Sequence, residues 1–335
     1  MILEKKPMSL QSFSYLPSKI LSRLPEVKKE LLAYLMRILS IDGWLMQKED
    51  HDLHRNHLSS IDSSVSVIVK ELEEKGVYVS SLASLNLPRT TELILQSSLL
   101  RQELDNSSLG NSDGNQYSVI APSTEFVKYC DIYRWGLNTF LLKVVENYLK
   151  SPVAYGFPSF RLHRSKFVSE QDGYWHIDKE DKRMLKVAVY FNDVTDDGGP
   201  FEIFEKQSSS IILNILKKHY PFLGPHKPLS HRNLLKLIPT SLLDNLKSFT
   251  GLQGTVIFVD TARLVHRGKP STQVDRCAIF YSYYTRTPHH PFFCGPGHFS
   301  EKHRHYLADN LSDYQRECVF WRNELNPIQK YLLTF

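Results

Sequence analysis

The chain has 335 residues, 41% of them hydrophobic, enough for one sizeable core or a core domain with a helical extension. Its net charge of +5 gives a nucleic-acid role no global electrostatic support. There is no apolar run of the roughly 18 residues that a membrane span requires. Cys130, Cys277, Cys294 and Cys318 are far apart and form no CxxC pair, and the opening lacks the order of a secretory signal, so a cytoplasmic protein without a disulfide framework is expected.

The first 154 residues read as a mainly helical region. "LPEVKKELLAYLMRIL" and "SSVSVIVKELEEKGV" carry apolar residues at helical spacing, the second stopping at Gly76. "TTELILQSSLLRQEL" and the long "TEFVKYCDIYRWGLNTFLLKVVENYLK" follow, separated by a polar, glycine-bearing loop, "DNSSLGNSDGNQ". From about 155 to 290 the texture becomes short segments rich in β-branched and aromatic residues, among them "LKVAVYFNDV", "PFEIFEK", "GTVIFVDTARLVH" and "RCAIFYSYYTR". They do not alternate with crossover helices, and no GxGxxG or Walker loop is present, so antiparallel strands in a sandwich or barrel are expected. Residues 206–252 interrupt them with an insertion, helical in parts, whose seven lysines and arginines face the single acid Asp244. It is either a solvated face or a lid that draws in an anionic substrate. Residues 291–335 read as a loop and a closing helix, and the whole as one compact α+β domain.

"WHIDKEDKRMLKVAVYFNDV" places His176 and Asp178 two residues apart, on one side of extended chain. His266, closing "GTVIFVDTARLVHRG", is a third candidate ligand. Two imidazoles and one carboxylate on one face of an octahedron leave positions open, which suits non-haem Fe(II) and dioxygen chemistry. If the cosubstrate is 2-oxoglutarate, its far carboxylate calls for a guanidinium, and Arg276 stands ten residues beyond His266 across the turn "RGKPSTQVD".

His176-x-Asp178, "VYFNDVTDDGGPFEIF", "GTVIFVDTARLVHRG" and Arg276 together resemble the Fe(II)/2-oxoglutarate-dependent dioxygenase superfamily, and more narrowly its phytanoyl-CoA dioxygenase branch. The resemblance spans residues 155–290. It implies a double-stranded β-helix (jelly-roll) core, iron held by His176, Asp178 and His266, 2-oxoglutarate clamped by Arg276, and O2 as oxidant. It implies hydroxylation, desaturation or cyclisation of a small-molecule substrate, with succinate and CO2 as coproducts. The chain departs from the branch at "FEKQSSS", at Gly198-Gly199 and in the 206–252 insertion, all where substrates are selected.

Every one of these residues also has a plainer reading. Tyr190 or Lys186 reaches the cavity from their shared strand face, or packs in the core. Tyr174 and Trp175 line a substrate pocket beside the ligands, or are aromatic filler. Arg267 should point away from His266, and Cys277 should pack as a small apolar group. His289, His290, Cys294, His298, His303 and His305 match no structural zinc spacing and read as a solvated loop. The substrate could be free, anionic or carried as a thioester. Other classes also remain: a jelly-roll binding or sensor protein with a vestigial site, and a cupin-like non-oxidative metalloenzyme.

Overall fold

The structure is a computed structural model that describes residues 62–106, 117–169, 173–220, 226–294, 299–325 and 330. The helix expected in "LPEVKKELLAYLMRIL", most of the polar loop after it, and His298 lie outside the described residues.

Helix α1 (Ser63–Lys75) buries Val65, Ile68 and Leu72 at helical spacing and stops at Gly76. There φ is 79°, a left-handed conformation natural to glycine, and the Gly76 N–H returns to Leu72 O. Helix α2 (Thr90–Asn106) buries Leu93, Ser97, Leu100 and Leu104. Helix α3 (Thr139–Leu149) starts at Asn138, whose side chain accepts the Phe140 N–H, and is buried along most of its length.

Among the described residues, ten strands form two antiparallel sheets: β1 (Val77–Ser81), β2 (Ser118–Ile120), β3 (Val153–Tyr155), β4 (Ser159–His163), β5 (Leu185–Tyr190), β6 (Phe201–Phe204), β7 (Leu246–Phe249), β8 (Thr255–Val259), β9 (His266–Gly268) and β10 (Arg276–Thr285). The larger sheet runs β1-β8-β5-β10-β4-β2, with β3 on the far end of β10; the smaller runs β7-β6-β9. The region before residue 155 is therefore not only helical, since β1, β2 and β3 complete the large sheet. Three- to five-residue strands between helices carry too little periodicity to be read separately.

Strand alternation divides the large sheet. Leu185, Val187 and Val189 of β5, Phe160 and Leu162 of β4, and Cys277, Ile279, Tyr281 and Tyr283 of β10 join the helical residues in one core. Ala188, Tyr190, Ile257, Val259 and Ala278 face the other way and meet Phe201 and Ile203 of the small sheet. The small sheet's outer side is covered by the insertion. Helix α4 (Lys206–His219) and helix α5 (His231–Leu235) pack Ile212, Leu216 and Leu234 against Trp175, Ile177 and Phe204. Within the described residues 299–325, two short helices stand where one was expected, Glu301–Leu307 and Asp313–Phe320. The chain turns between them through Asn310 at φ 60°, and Ser312 and Gln315 make a capping box that begins the second.

Candidate metal centre and its cavity

His176 and His266 are joined through their backbones. Each N–H donates to the other's carbonyl, at 3.0 and 2.9 Å. This bridge hangs the His-x-Asp segment on β9, and the Asp178 N–H donates to Thr261 O at 2.9 Å. The ligand atoms of His176, Asp178 and His266 consequently lie within 4.8 Å of one another, the only such group of three or more among the described residues. The imidazole centroids are 4.3 Å apart.

Both histidines are oriented in the same way. His176 Nδ1 lies 2.8 Å from Tyr174 O and His266 Nδ1 2.9 Å from Leu264 O. A carbonyl accepts only, so each Nδ1 carries the proton and each Nε2 keeps its lone pair for a metal. Burial, then His176, depresses His266 to about 3. Burial lowers His176 as well. Burial pulls the Asp178 carboxyl upward, but Lys186 and then the two histidines outweigh it and hold it well below the usual carboxylate range. Neutral imidazoles and an ionised carboxylate form the donor set a divalent cation needs, so the residues fit a ferrous ion.

His176 and His266 line a cavity of about 420 Å³, with Asp178 behind them, and the rest of the lining includes Tyr174, Arg161, His163, Lys186, Phe280 and Arg276. Arg276 is 2% exposed. One of its terminal nitrogens donates to Gly199 O, and the other lies 3.4 Å from His163 Nδ1. Gly268 makes room for it, since a Cβ there would stand 2.6 Å from Arg276 Nη2. Among the described residues no carboxylate side chain bonds this guanidinium.

The remaining sequence candidates separate. Tyr174 lines the cavity. Trp175 does not: it is 1% exposed, turned to the opposite side, 4.8 Å from the Phe204 ring and donating to His231 Nδ1 at 3.0 Å. Neighbours on extended chain point to opposite sides, so a cavity-facing His176 sends Trp175 into the insertion's core. Tyr190 does not line the cavity either. Its hydroxyl accepts the Phe201 N–H at 2.9 Å and donates to Phe249 O at 3.0 Å, tying the two sheets together. Arg267 pairs with Glu202 at 2.7 Å beneath the Trp175 ring. The His289 and His290 rings meet edge-on with centroids 4.3 Å apart, and among the described residues they join no metal-capable group. Sequence reasoning missed Arg161, His163 and Glu180. The signal for the first two was present in "SFRLH", where Arg161 and His163 alternate with the outward Phe160 and Leu162.

No family model matches the chain, and no curated protein matches it. Solved structures do. The epimerase SnoN from nogalamycin biosynthesis, in complex with Fe3+, alpha ketoglutarate and nogalamycin RO, is 13% identical, with a TM-score of 0.43 over 67% of this chain and 84% of that one. EctD from S. alaskensis, with 2-oxoglutarate and 5-hydroxyectoine, is 15% identical, with a TM-score of 0.47 over 69% and 80%. HygX from Streptomyces hygroscopicus, with nickel, 2-oxoglutarate and hygromycin B, is 15% identical, with a TM-score of 0.42 over 67% and 88%. The chain is similar to these proteins. Its own atoms carry the functional reading.

Proposed function

We propose that the protein is an Fe(II)- and 2-oxoglutarate-dependent oxygenase acting on a small-molecule substrate, with its site between the two sheets of a double-stranded β-helix. The supporting observation is one cavity with three convergent ligands and a buried guanidinium that no carboxylate side chain bonds. His176, Asp178 and His266 would hold the metal, which would couple dioxygen and the cosubstrate at the cavity. Arg276 offers its donors to the distal carboxylate of 2-oxoglutarate, with His163 beside it. Arg161, whose Nε donates to Ser159 Oγ at 2.8 Å, adds a second cation to a wall that must receive a dianion. Tyr174, Phe201 and Phe280 exclude water around the reacting centre.

Bound here, iron supplies the coupling between oxidative decarboxylation of 2-oxoglutarate by O2, giving succinate and CO2, and oxidation of an unactivated C–H bond. Hydroxylation, desaturation and ring closure all draw on that coupling. The chain selects among them by where it holds the substrate. A non-oxidative metalloenzyme or a binding module has no use for a guanidinium buried beside metal ligands.

Purified protein supplied with Fe(II), 2-oxoglutarate and O2 should form succinate, even slowly without substrate. Absence of succinate together with failure to bind both metal and 2-oxoglutarate would overturn the assignment. Replacing His176, Asp178 or His266 by alanine should abolish metal retention, read by titration with Ni(II).

A further inference from the structure

Beyond helping to keep the Asp178 carboxyl ionised, Lys186 has no task in the chemistry proposed above. The residue sits on the inner face of β5, opposite Ser282 of β10 and Val259 of β8. It lines the cavity alongside Phe157, Ser159, Glu180 and Phe280. Its ammonium lies 2.6 Å from Asp178 Oδ2, with 20% of the side chain exposed. The other oxygen, Oδ1, is the one 4.0 Å from His176 Nε2. The carboxylate thus turns one oxygen to the imidazoles and the other to the lysine. An ammonium has three N–H donors, more than this ion pair can occupy, which leaves donors for the cavity.

Charge adds an independent argument. A divalent ion, the Asp178 carboxylate and the 2-oxoglutarate dianion together carry one negative unit. Arg276 and Arg161 turn that into one positive unit. Lys186 adds another, and Glu180 offsets at most one. A cavity walled partly by phenyl rings is left with uncompensated positive charge, which is costly unless an anion enters. The two cations reach that cavity from different stretches of strand: Ser282, the neighbour of Lys186, lies six residues along β10 from Arg276, roughly 20 Å of backbone.

Building on the oxygenase reading, we propose that the substrate carries an anionic group, a carboxylate or a phosphate, that pairs with Lys186 beside the metal. The lysine would then hold the reacting carbon at a set distance from the iron, at the end of the cavity away from Arg276.

The test uses the full chain loaded with Ni(II) and 2-oxoglutarate. Phenylacetate and phenyl phosphate are titrated calorimetrically against uncharged phenylacetamide, the phenyl group matching the aromatic walls. At least one anion should bind about tenfold more tightly than the amide. Lys186→Met should erase that preference and Lys186→Arg should keep it. Retained Ni(II) binding and a 2-oxoglutarate affinity changed by less than about threefold show that Lys186→Met is folded and its clamp intact. The proposal is overturned if anion and amide bind alike, if neither anion binds, or if the preference survives Lys186→Met. It is also overturned if Lys186→Met weakens 2-oxoglutarate as much as Arg276→Met does, which would assign the lysine to the cosubstrate. Wild-type protein that takes up neither Ni(II) nor 2-oxoglutarate sinks the oxygenase reading instead. Normal loading without anion preference sinks only the substrate class.

Discussion

The electrostatics of the site set its response to acid. Because His266 titrates at about 3 in the folded chain, against about 6.5 for an ordinary histidine, the metal-free folded state binds fewer protons than the unfolded state between those values. The contribution of this histidine to stability should therefore rise with pH across that window and level off above it, opposed by Asp260, whose carboxyl burial raises to about 6. Urea unfolding of metal-free protein at pH 4.5 and 7 checks this, and His266→Gln should remove part of the difference. Arg276→Met should weaken 2-oxoglutarate by about a hundredfold, the scale of losing one partner of a buried charge pair, while Ni(II) binding persists. The convergence of His176, Asp178 and His266, and the burial of Arg276 on the same cavity, were legible because each is an unusual group at a telling offset. Lys186 was not separable from Tyr190, because strand parity assigns a face and not a partner.

At the scale of strands, two contacts connect the sheets to the site. Gly268→Ala would drive a methyl into Arg276 Nη2, so 2-oxoglutarate affinity should fall while metal binding is retained. Isothermal titration of both ligands separates the two effects. Tyr190→Phe removes the hydroxyl that serves both Phe201 N–H and Phe249 O, leaving two backbone groups short of a partner. A loss of about 2 kcal/mol in denaturant unfolding is expected. Alternation made the inner and outer faces of β4, β5 and β10 readable from sequence. It also implies that Trp175 turns away from a cavity-facing His176, but not that the insertion stands there to receive it, because that is set by the long-range bridge from Trp175 to Leu229.

For the whole molecule, the insertion is a second small core fastened to the back of the metal centre. Trp175 is its centrepiece and the immediate neighbour of His176. Trp175→Ala should cost about 3–5 kcal/mol by the measure of large-to-small core changes, seen as a lower thermal midpoint, and should loosen metal binding as well. The three strands drawn from the region before residue 155 were illegible because long-range pairing, and not local pattern, makes them strands. The self-anchoring of the two imidazoles has a wider consequence. Each ligand ring is steered by a carbonyl two residues upstream on its own backbone, so no distant side chain is recruited to aim it. Helices and insertion are thereby left free to shape the cavity walls without disturbing the aim of the two rings, so the direction of the paired lone pairs and the outline of the chamber are governed by separate parts of the chain.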